Sequence, residues 1–424
     1  MMFQADQRVL IIDNVGGNYV PIAISLSKYF RSVSYHAINQ SPYPLLTNDV
    51  IGVGYKEIQV LDELWNRLDE FDLFILCDSY LNDYGDRLRK LGKLVFGGTE
   101  AEQLESDRFL FNDELQSVGL PTIPSKKIQG ITNLINYLKG VEDKWIKISF
   151  YRGIGETWHH INYNLSKIIL DEYVADLGPT GEMVEFLVQD NLESIGEIGS
   201  DGWTVNGKFP SKAIWGLEVK DCGYVCKTDS YGLMPSPIRI TNDKFGPILQ
   251  KYNHTGFFST EIRYTEDGKS YFTDACVRAG SPSSNCMMEL ISNWDKILPA
   301  AANGQVVDPI FKAKYAVEII LKSSQCTHGY LPVSFPPQYK QNIKLKGSFI
   351  IDGNYYVIPF NKSGYDMTEF GSVVVIGDDL QETINNALEI ANMIKGIDIT
   401  FDRDAMNQAM ESIHAVEQNL NIQF

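Results

Sequence analysis

The chain has 424 residues, 44% hydrophobic and 21% charged, with 37 Lys+Arg against 54 Asp+Glu for a formal charge of -17. That length exceeds one ordinary core and predicts about two to four domains, while the acidic balance argues against duplex nucleic acid as a direct partner, since such binding needs clustered Lys and Arg. No apolar run approaches the roughly 20 residues of a membrane span, and the Met1-Met-Phe-Gln-Ala-Asp start lacks a basic segment followed by an apolar one, so a cytoplasmic protein without membrane contact is expected.

Arg8 to Ile12 reads as a buried strand ending in Asp13-Asn-Val-Gly16-Gly17, and Val20 to Phe30 has helical periodicity. A strand, a glycine turn and a helix open an α/β unit, with the glycine pair read first as a tight turn. A helix around Leu61 to Glu70, a strand over Phe71 to Cys77, a basic helix near Arg87 and a strand from Lys93 to Phe96 complete a small parallel-sheet domain. After Gly97-Gly98, Thr99 can cap a helix with Glu102 three residues later, and that helix runs to Val118 before Gly119-Leu-Pro121.

Trp145-Ile-Lys147-Ile-Ser149 places a lysine inside an apolar strand, ahead of Gly153-Ile-Gly155. Lysine is rarely buried without a partner, so this one is a phosphate-binding candidate; a solubilising charge on an edge strand is the other reading. Phe186 to Asp190 reads as a further strand, and Glu197 follows before a turn. Phe258 to Pro282 then has the pattern of a β-hairpin around Glu266-Asp267-Gly268. Alternation can point Glu261 and Asp274 the same way, with Cys276 two residues on. Two converging carboxylates suit a Mg²⁺ that bridges nucleotide phosphates; an exposed acidic hairpin is the alternative.

From about Lys312, strands are expected over Tyr315 to Leu321, Ile343 to Ile351 and Tyr355 to Pro359, with a turn at Asp352-Gly-Asn. Phe370 to Gly377 leads into an amphipathic helix from Leu380 to Ile394. Six scattered cysteines, Cys77, Cys222, Cys226, Cys276, Cys286 and Cys326, read as reduced thiols, and the Cys222–Cys226 spacing has no second pair for zinc. His159, His160 and His254 read as ordinary surface or loop residues.

The hairpin resembles the metal-binding hairpin of the ATP-grasp superfamily, in which an acidic residue on one strand is followed across a turn by a Glu-x-Asn pair, an arginine or threonine, a glycine and a proline. Glu261 falls on the first acidic position, Asp274 on the Glu, Cys276 on the Asn, and Arg278 on the arginine that steadies an acyl phosphate. Cysteine is the marked departure, because sulfur is a poor Mg²⁺ ligand. Within the superfamily, the helix before Gly119-Leu-Pro121 is similar to that of the glycinamide ribonucleotide synthetases and puts Arg108 where they have a phosphate-contacting lysine.

The resemblance implies that Lys147 meets the α- and β-phosphates and that the Gly153 and Gly155 loop closes over the triphosphate. Leu187 and Val188 would line adenine, with Gln189, Asp190 and Glu197 at adenine and ribose. The 219–241 segment lacks the family's Asn-Thr-Gly-Gly-Met-Gly run, which implies altered acceptor specificity. The implied fold class is α/β and α+β multidomain, an ATP-grasp fold. It has an N-terminal parallel α/β (pre-ATP-grasp) domain at 1–100, an ATP-grasp domain at 101–311 with a small lid subdomain at about 124–190, and a C-terminal α+β domain at 312–424.

The implied activity is an ATP-dependent carboxylate–amine ligase acting through an acyl phosphate. It would use ATP and Mg²⁺ (Mn²⁺ tolerated) and small-molecule carboxylate and amine substrates, as a monomer or homodimer. Two other readings stay open: a ligase attaching an amino acid to a modified nucleotide or nucleobase in a bacteriophage-type pathway, and a degenerate, non-catalytic ATP-binding protein.

Overall fold

A computed structural model describes residues 5–14, 16–38, 48–149, 157–194, 196–360, 367–420 and 424. The candidates Gly153 and Gly155 lie outside the described residues. The chain forms two compact units, the first made of Met1–Glu102, Glu197–Glu261 and Cys276–Phe424, the second of Gln103–Gly196 and Ile262–Ala275.

The first unit opens with β1 (Ala5–Asp13), α1 (Val20–Leu26), β2 (Phe30–Ala37), β3 (Gln59–Val60), β4 (Leu73–Leu76), α2 (Asn82–Lys90) and β5 (Val95–Phe96). Its five strands pair in parallel in the order β3-β2-β1-β4-β5. Val9 and Ile11 enter one core with Ile22, Trp294 and Val374, while Leu10 and Ile12 enter a second with Leu61, Phe74 and Leu88. Burial on both faces is why β1 reads as an unbroken apolar run. The expected helix to Phe30 stops at Leu26, because Phe30 opens β2 and buries with Val33 and Tyr35. The helix expected over Leu61 to Glu70 is a 3₁₀ turn at Trp65–Glu70.

The single helix expected from Thr99 to Val118 is two, α3 (Glu102–Ser106) and α4 (Arg108–Ser117). Asp107 breaks it by capping α4, its Oδ1 accepting from Phe109 N–H at 3.0 Å and Leu110 N–H at 3.1 Å. Glu102 does not reach back to its own helix start in the manner of a capping box; its Oε2 accepts from Leu81 and Asn82 N–H at the head of α2.

In the second unit, β6 (Ser125–Gln129), α5 (Ile131–Leu138), β7 (Lys144–Ile148), β8 (Thr157–His160), α6 (Tyr163–Leu177) and β9 (Glu185–Asp190) form an antiparallel sheet of order β6-β9-β7-β8. Ile128, Ile146, Trp158, Phe186 and Val188 point from one face into a core with Leu134, Leu138 and Leu170 of the two helices.

The chain then returns to the first unit through β10 (Gly196–Val205), β11 (Lys212–Val219), β12 (Gly223–Ser230), α7 (Ser236–Lys251) and the start of β13 (Thr255–Tyr264), while the rest of β13 from Ile262 and nearly all of β14 (Ser270–Cys276) belong to the second. The expected hairpin is β13 and β14, and Gly268 takes φ +80° at its turn, a conformation that favours glycine. After α8 (Ser283–Leu290) and α9 (Trp294–Ala302) come β15 (Tyr315–Ser323), β16 (Leu331–Val333), β17 (Ile343–Leu345), β18 (Ser348–Ile351), β19 (Asn354–Val357), β20 (Thr368–Gly377), α10 (Leu380–Met393), β21 (Ile399–Thr400) and α11 (Ala405–Leu420).

One large sheet runs β14-β13-β10-β11-β12-β15-β20-β17, so strands of the C-terminal region extend the same sheet as the hairpin. The strand expected over Ile343 to Ile351 is split at Gly347, which has φ +49° and donates its N–H to Gly17 O at 2.8 Å. Among the described residues, no helix is long and apolar enough to cross a membrane.

Candidate functional site

In the second unit β7 lies between β9 and β8, with Lys147 opposite Leu187 on one side and Thr157 on the other. Lys147 is therefore not an edge-strand charge. Opposed residues on paired strands share a face, so Lys147, Leu187, Thr157, Trp145 and Gln189 lie on the face away from α5 and α6. Val188 does not join them, because it packs in the helix-side core with Ile146 and Phe186. Asp190 alternates with Gln189 to that other face and ion-pairs with Lys144 at 2.7 Å.

On the open face, Lys147 Nζ donates to Asp274 Oδ2 at 3.0 Å and Arg108 Nη1 donates to Asp274 Oδ1 at 2.8 Å. Arg108 Nη2 also lies 3.4 Å from Thr157 Oγ1. The two cations are 4% and 8% exposed, a degree of burial that charged groups tolerate only with partners. Phe111 of α4 packs edge-on against Phe272 of β14 at 5.1 Å between centroids, holding the helix that carries Arg108 against the strand that carries Asp274. Around them stand Lys127 over the Phe109 ring and Arg263 over Trp145. The arrangement is two buried cations on one carboxylate, beside an apolar strand residue, Leu187, and a buried amide, Gln189.

The other candidates belong to the first unit. Glu261 on β13 and Glu197 on β10 both face Glu218 of β11, whose carboxyl is pushed well above the usual range by burial and then by Glu261, Glu197, Asp201 and Asp221. Glu218 was missed in the sequence; an acid inside the apolar run Trp215-Gly-Leu-Glu218-Val is the signal that points to it. Arg278 Nη1 reaches Tyr19 Oη and Ala279 O, both at 3.4 Å, and Cys276 Sγ lies 3.6 Å from Arg278 O. Among the described residues, no three His, Cys, Asp or Glu side chains are grouped to hold a metal by themselves.

His160 and His254 are buried structural groups rather than surface ones. His160 Nδ1 meets Ser166 Oγ at 2.8 Å; His254 bridges Thr99 Oγ1 and Phe257 O, and burial lowers its pKa to about 4. All six cysteines are free thiols.

No family model matches the chain, and no curated protein does. Solved structures do match across nearly their full length. Phosphoribosylamine–glycine ligase from Thermotoga maritima is 14% identical and superposes with a TM-score of 0.69, covering 94% of this chain and 99% of that one. Biotin carboxylase from Campylobacter jejuni is 13% identical with a TM-score of 0.66, covering 95% and 96%. L-amino acid ligase from Bacillus licheniformis is 13% identical with a TM-score of 0.62, covering 95% and 100%. The likeness lies in the fold, and the chain has the multidomain ATP-grasp fold that its hairpin implied.

Proposed function

We propose that the chain is an ATP-dependent carboxylate–amine ligase, similar in chemistry to glycinamide ribonucleotide synthetase but with a different acceptor. The observation that carries this reading is Asp274 held by Arg108 and Lys147 on the sheet face that also bears Leu187 and Gln189. Two nearly buried cations converging on one carboxylate are preorganised for a polyanion, and triphosphate oxygens are chemically equivalent partners for both. The domain reading at 1–100, 101–311 with its 124–190 lid, and 312–424 belongs to the same proposal.

The donor set suits Mg²⁺. Asp274 accepts hydrogen bonds through both oxygens, which is the behaviour of an ionised, hard oxygen ligand. Burial and the crowding of Glu261 and Glu197 hold the Glu218 carboxyl above the usual range, a repulsion that a cation would relieve. Mg²⁺ commonly takes one or two carboxylates and completes its shell with phosphates. Asp274 and Glu261 would hold it, and when bound it neutralises charge on the transferring phosphoryl group.

Lys147 and Arg108 then bind and orient the triphosphate, and Leu187 packs the base. A substrate carboxylate oxygen attacks the γ-phosphorus in line, forming an acyl phosphate as ADP departs. An amine adds to the acyl carbon, the C–O bond to phosphate breaks, and the amine proton leaves with solvent, giving an amide and inorganic phosphate. Arg278 would steady the acyl phosphate.

A non-catalytic nucleotide-binding protein is the second reading, favoured by the Cys276 thiol that stands on the Arg278 carbonyl. Thermal melting with ATP and Mg²⁺ tests binding: ligand at 100-fold excess over Kd stabilises by about 2.7 kcal/mol. A screen of carboxylates and amines for ADP release then separates ligase from binder. No melting shift at millimolar ATP would overturn both.

A further inference from the structure

Three lysines from separate stretches of the first unit converge on one carboxylate, Glu289, in the last turn of α8. Lys344 of β17 is 5% exposed and donates from Nζ to Glu289 Oε1 at 2.6 Å and to Gln341 O at 2.7 Å. Lys28, just past α1, stands 3.5 Å from the same oxygen, which also accepts from Ser25 Oγ at 3.3 Å. Lys312 is brought in by its backbone, whose N–H donates to Leu290 O at 2.8 Å. Its Nζ donates to the Tyr29 hydroxyl at 3.4 Å, and among the described residues it ion-pairs with no carboxylate. Lys28 and Lys312 are exposed.

One carboxylate does not balance three ammonium groups. Against burial, which would raise it, Lys344, Lys28 and Lys312 pull the Glu289 carboxyl down to about 2, so this anion is fixed at neutral pH. The titratable groups that face Lys312 are Glu289, Lys28 and Lys344. Partial burial, and beyond it the two ammonium groups acting against Glu289, hold Lys312 below the usual lysine range, a crowding that an incoming anion relieves by favouring the charged form. Asp295, which faces Tyr29, is already paired with Lys296 at 3.2 Å. The C-terminal carbonyls of α8 answer a further part of the surplus, about half an elementary charge. Roughly one and a half positive charges then remain, in a chain whose formal charge is -17.

A carboxylate ligand would leave part of that surplus unmet. A phosphate group carries about 1.5 to 2 negative charges at neutral pH and several acceptor oxygens, and lysine binds such groups as a point charge.

We propose that Lys28, Lys312 and Lys344 form a binding site for a phosphate-class dianion, free phosphate or a phosphate monoester, made wholly of first-unit residues. The exposed pair receives the anion, and Lys344 holds Glu289 in place beside it. The site does not depend on the ligase reading.

The test is isothermal titration of the full-length protein with sodium phosphate and with glycerol 3-phosphate, each against sodium chloride at equal ionic strength. At least one of the two phosphates binds where chloride does not, and the tighter of them identifies the source. Lys312→Gln and Lys28→Gln each weaken that binding about tenfold or more. Glu289→Gln, which removes the internal anion, tightens it about tenfold, the opposite of what a purely structural ion-pair cluster gives. Lys147→Ala, in the second unit, leaves the binding in place. A cooperative melt of each variant confirms folding; if Glu289→Gln fails to fold, Lys28→Gln, at an exposed position, still decides. Phosphate binding no better than chloride, binding that survives both lysine substitutions, weaker or unchanged binding in folded Glu289→Gln, or loss in Lys147→Ala overturns the proposal. Failure of the separate ATP melting experiment would instead sink the ligase reading while leaving this site to its own result.

Discussion

Lys147 and Asp274, 127 residues apart in sequence, meet at 3.0 Å, and Arg108 takes the remaining oxygen of the same carboxylate at 2.8 Å. An acidic residue that resembles a metal ligand is thus engaged by the very cations that resemble phosphate ligands. On the ligase reading Asp274 would stand in for the nucleotide, keeping two nearly buried cations paired until a stronger anion arrives.

Asp274→Asn should therefore move two assays in opposite directions. Removing the internal competitor is expected to tighten metal-free ATP binding about tenfold, because the phosphates no longer displace a charged partner. Mg²⁺-dependent ADP release should collapse. The folding cost is expected at about 1–3 kcal/mol, since Asn keeps one acceptor and the site is partly exposed. Isothermal titration without metal reads the first effect; unchanged or weaker binding would show that Asp274 does not compete with phosphate.

Much of this site was legible because its signals are local. The Asp-Gly turn at 267–268 fixed the hairpin, and a lysine in an apolar strand singled out Lys147. What could not be read was facing. Phe186, Leu187 and Val188 are all apolar, so only the pairing of β9 with β7 tells that Leu187 shares Lys147's face while Val188 belongs to the core. Long-range partners were equally hidden: Glu102 caps α2 rather than its own helix, and Gly347 splits a strand because its backbone meets Gly17. β2 went unseen since Arg31, Ser32 and Ser34 dilute the apolar pattern that Val33 and Tyr35 would otherwise give.

Glu318 should make stability pH-dependent. It is 1% exposed and accepts from Asn285 Nδ2 at 2.9 Å and Ser372 Oγ at 2.5 Å, yet burial pushes its pKa up to about 7. The folded state therefore holds the proton more tightly than the unfolded chain. The stabilisation is complete below the ordinary value of 4.5 and is lost as pH rises through about 7. Glu318→Gln keeps the shape and an acceptor without the titration. Relative to the parent, its stability should rise between about pH 5 and about pH 8 by on the order of 2–3 kcal/mol. Parallel denaturation curves at both pH values would show that the folded site tolerates the ionised carboxylate.

Gly17→Ala should loosen the joint between the β1 turn and the chain after β17. Gly17 has φ +68°, and a Cβ there would stand 2.6 Å from Ile51 Cγ2 and 2.9 Å from Gly347 Cα. Ile51 has rotamers to try, but the Gly347 backbone does not. The expected loss is roughly 1–3 kcal/mol in chemical denaturation, from left-handed strain and the clash together. A neutral result would mean that the turn relaxes away from Gly347.

Cys276 carries the sharpest test of the metal assignment. Its thiol lies 3.6 Å from Arg278 O, a weak contact, and sulfur suits Mg²⁺ poorly where an amide oxygen suits it well. If Asp274 and the phosphates hold the ion with little help from this position, Cys276→Asn supplies the missing oxygen two residues along the strand. The Mg²⁺ concentration for half-maximal ADP release should then fall, with the maximal rate retained. Steady-state rates across a Mg²⁺ titration read this directly. An unchanged titration would confine Cys276 to packing, and complete inactivation would assign the thiol a role that the hairpin resemblance does not contain.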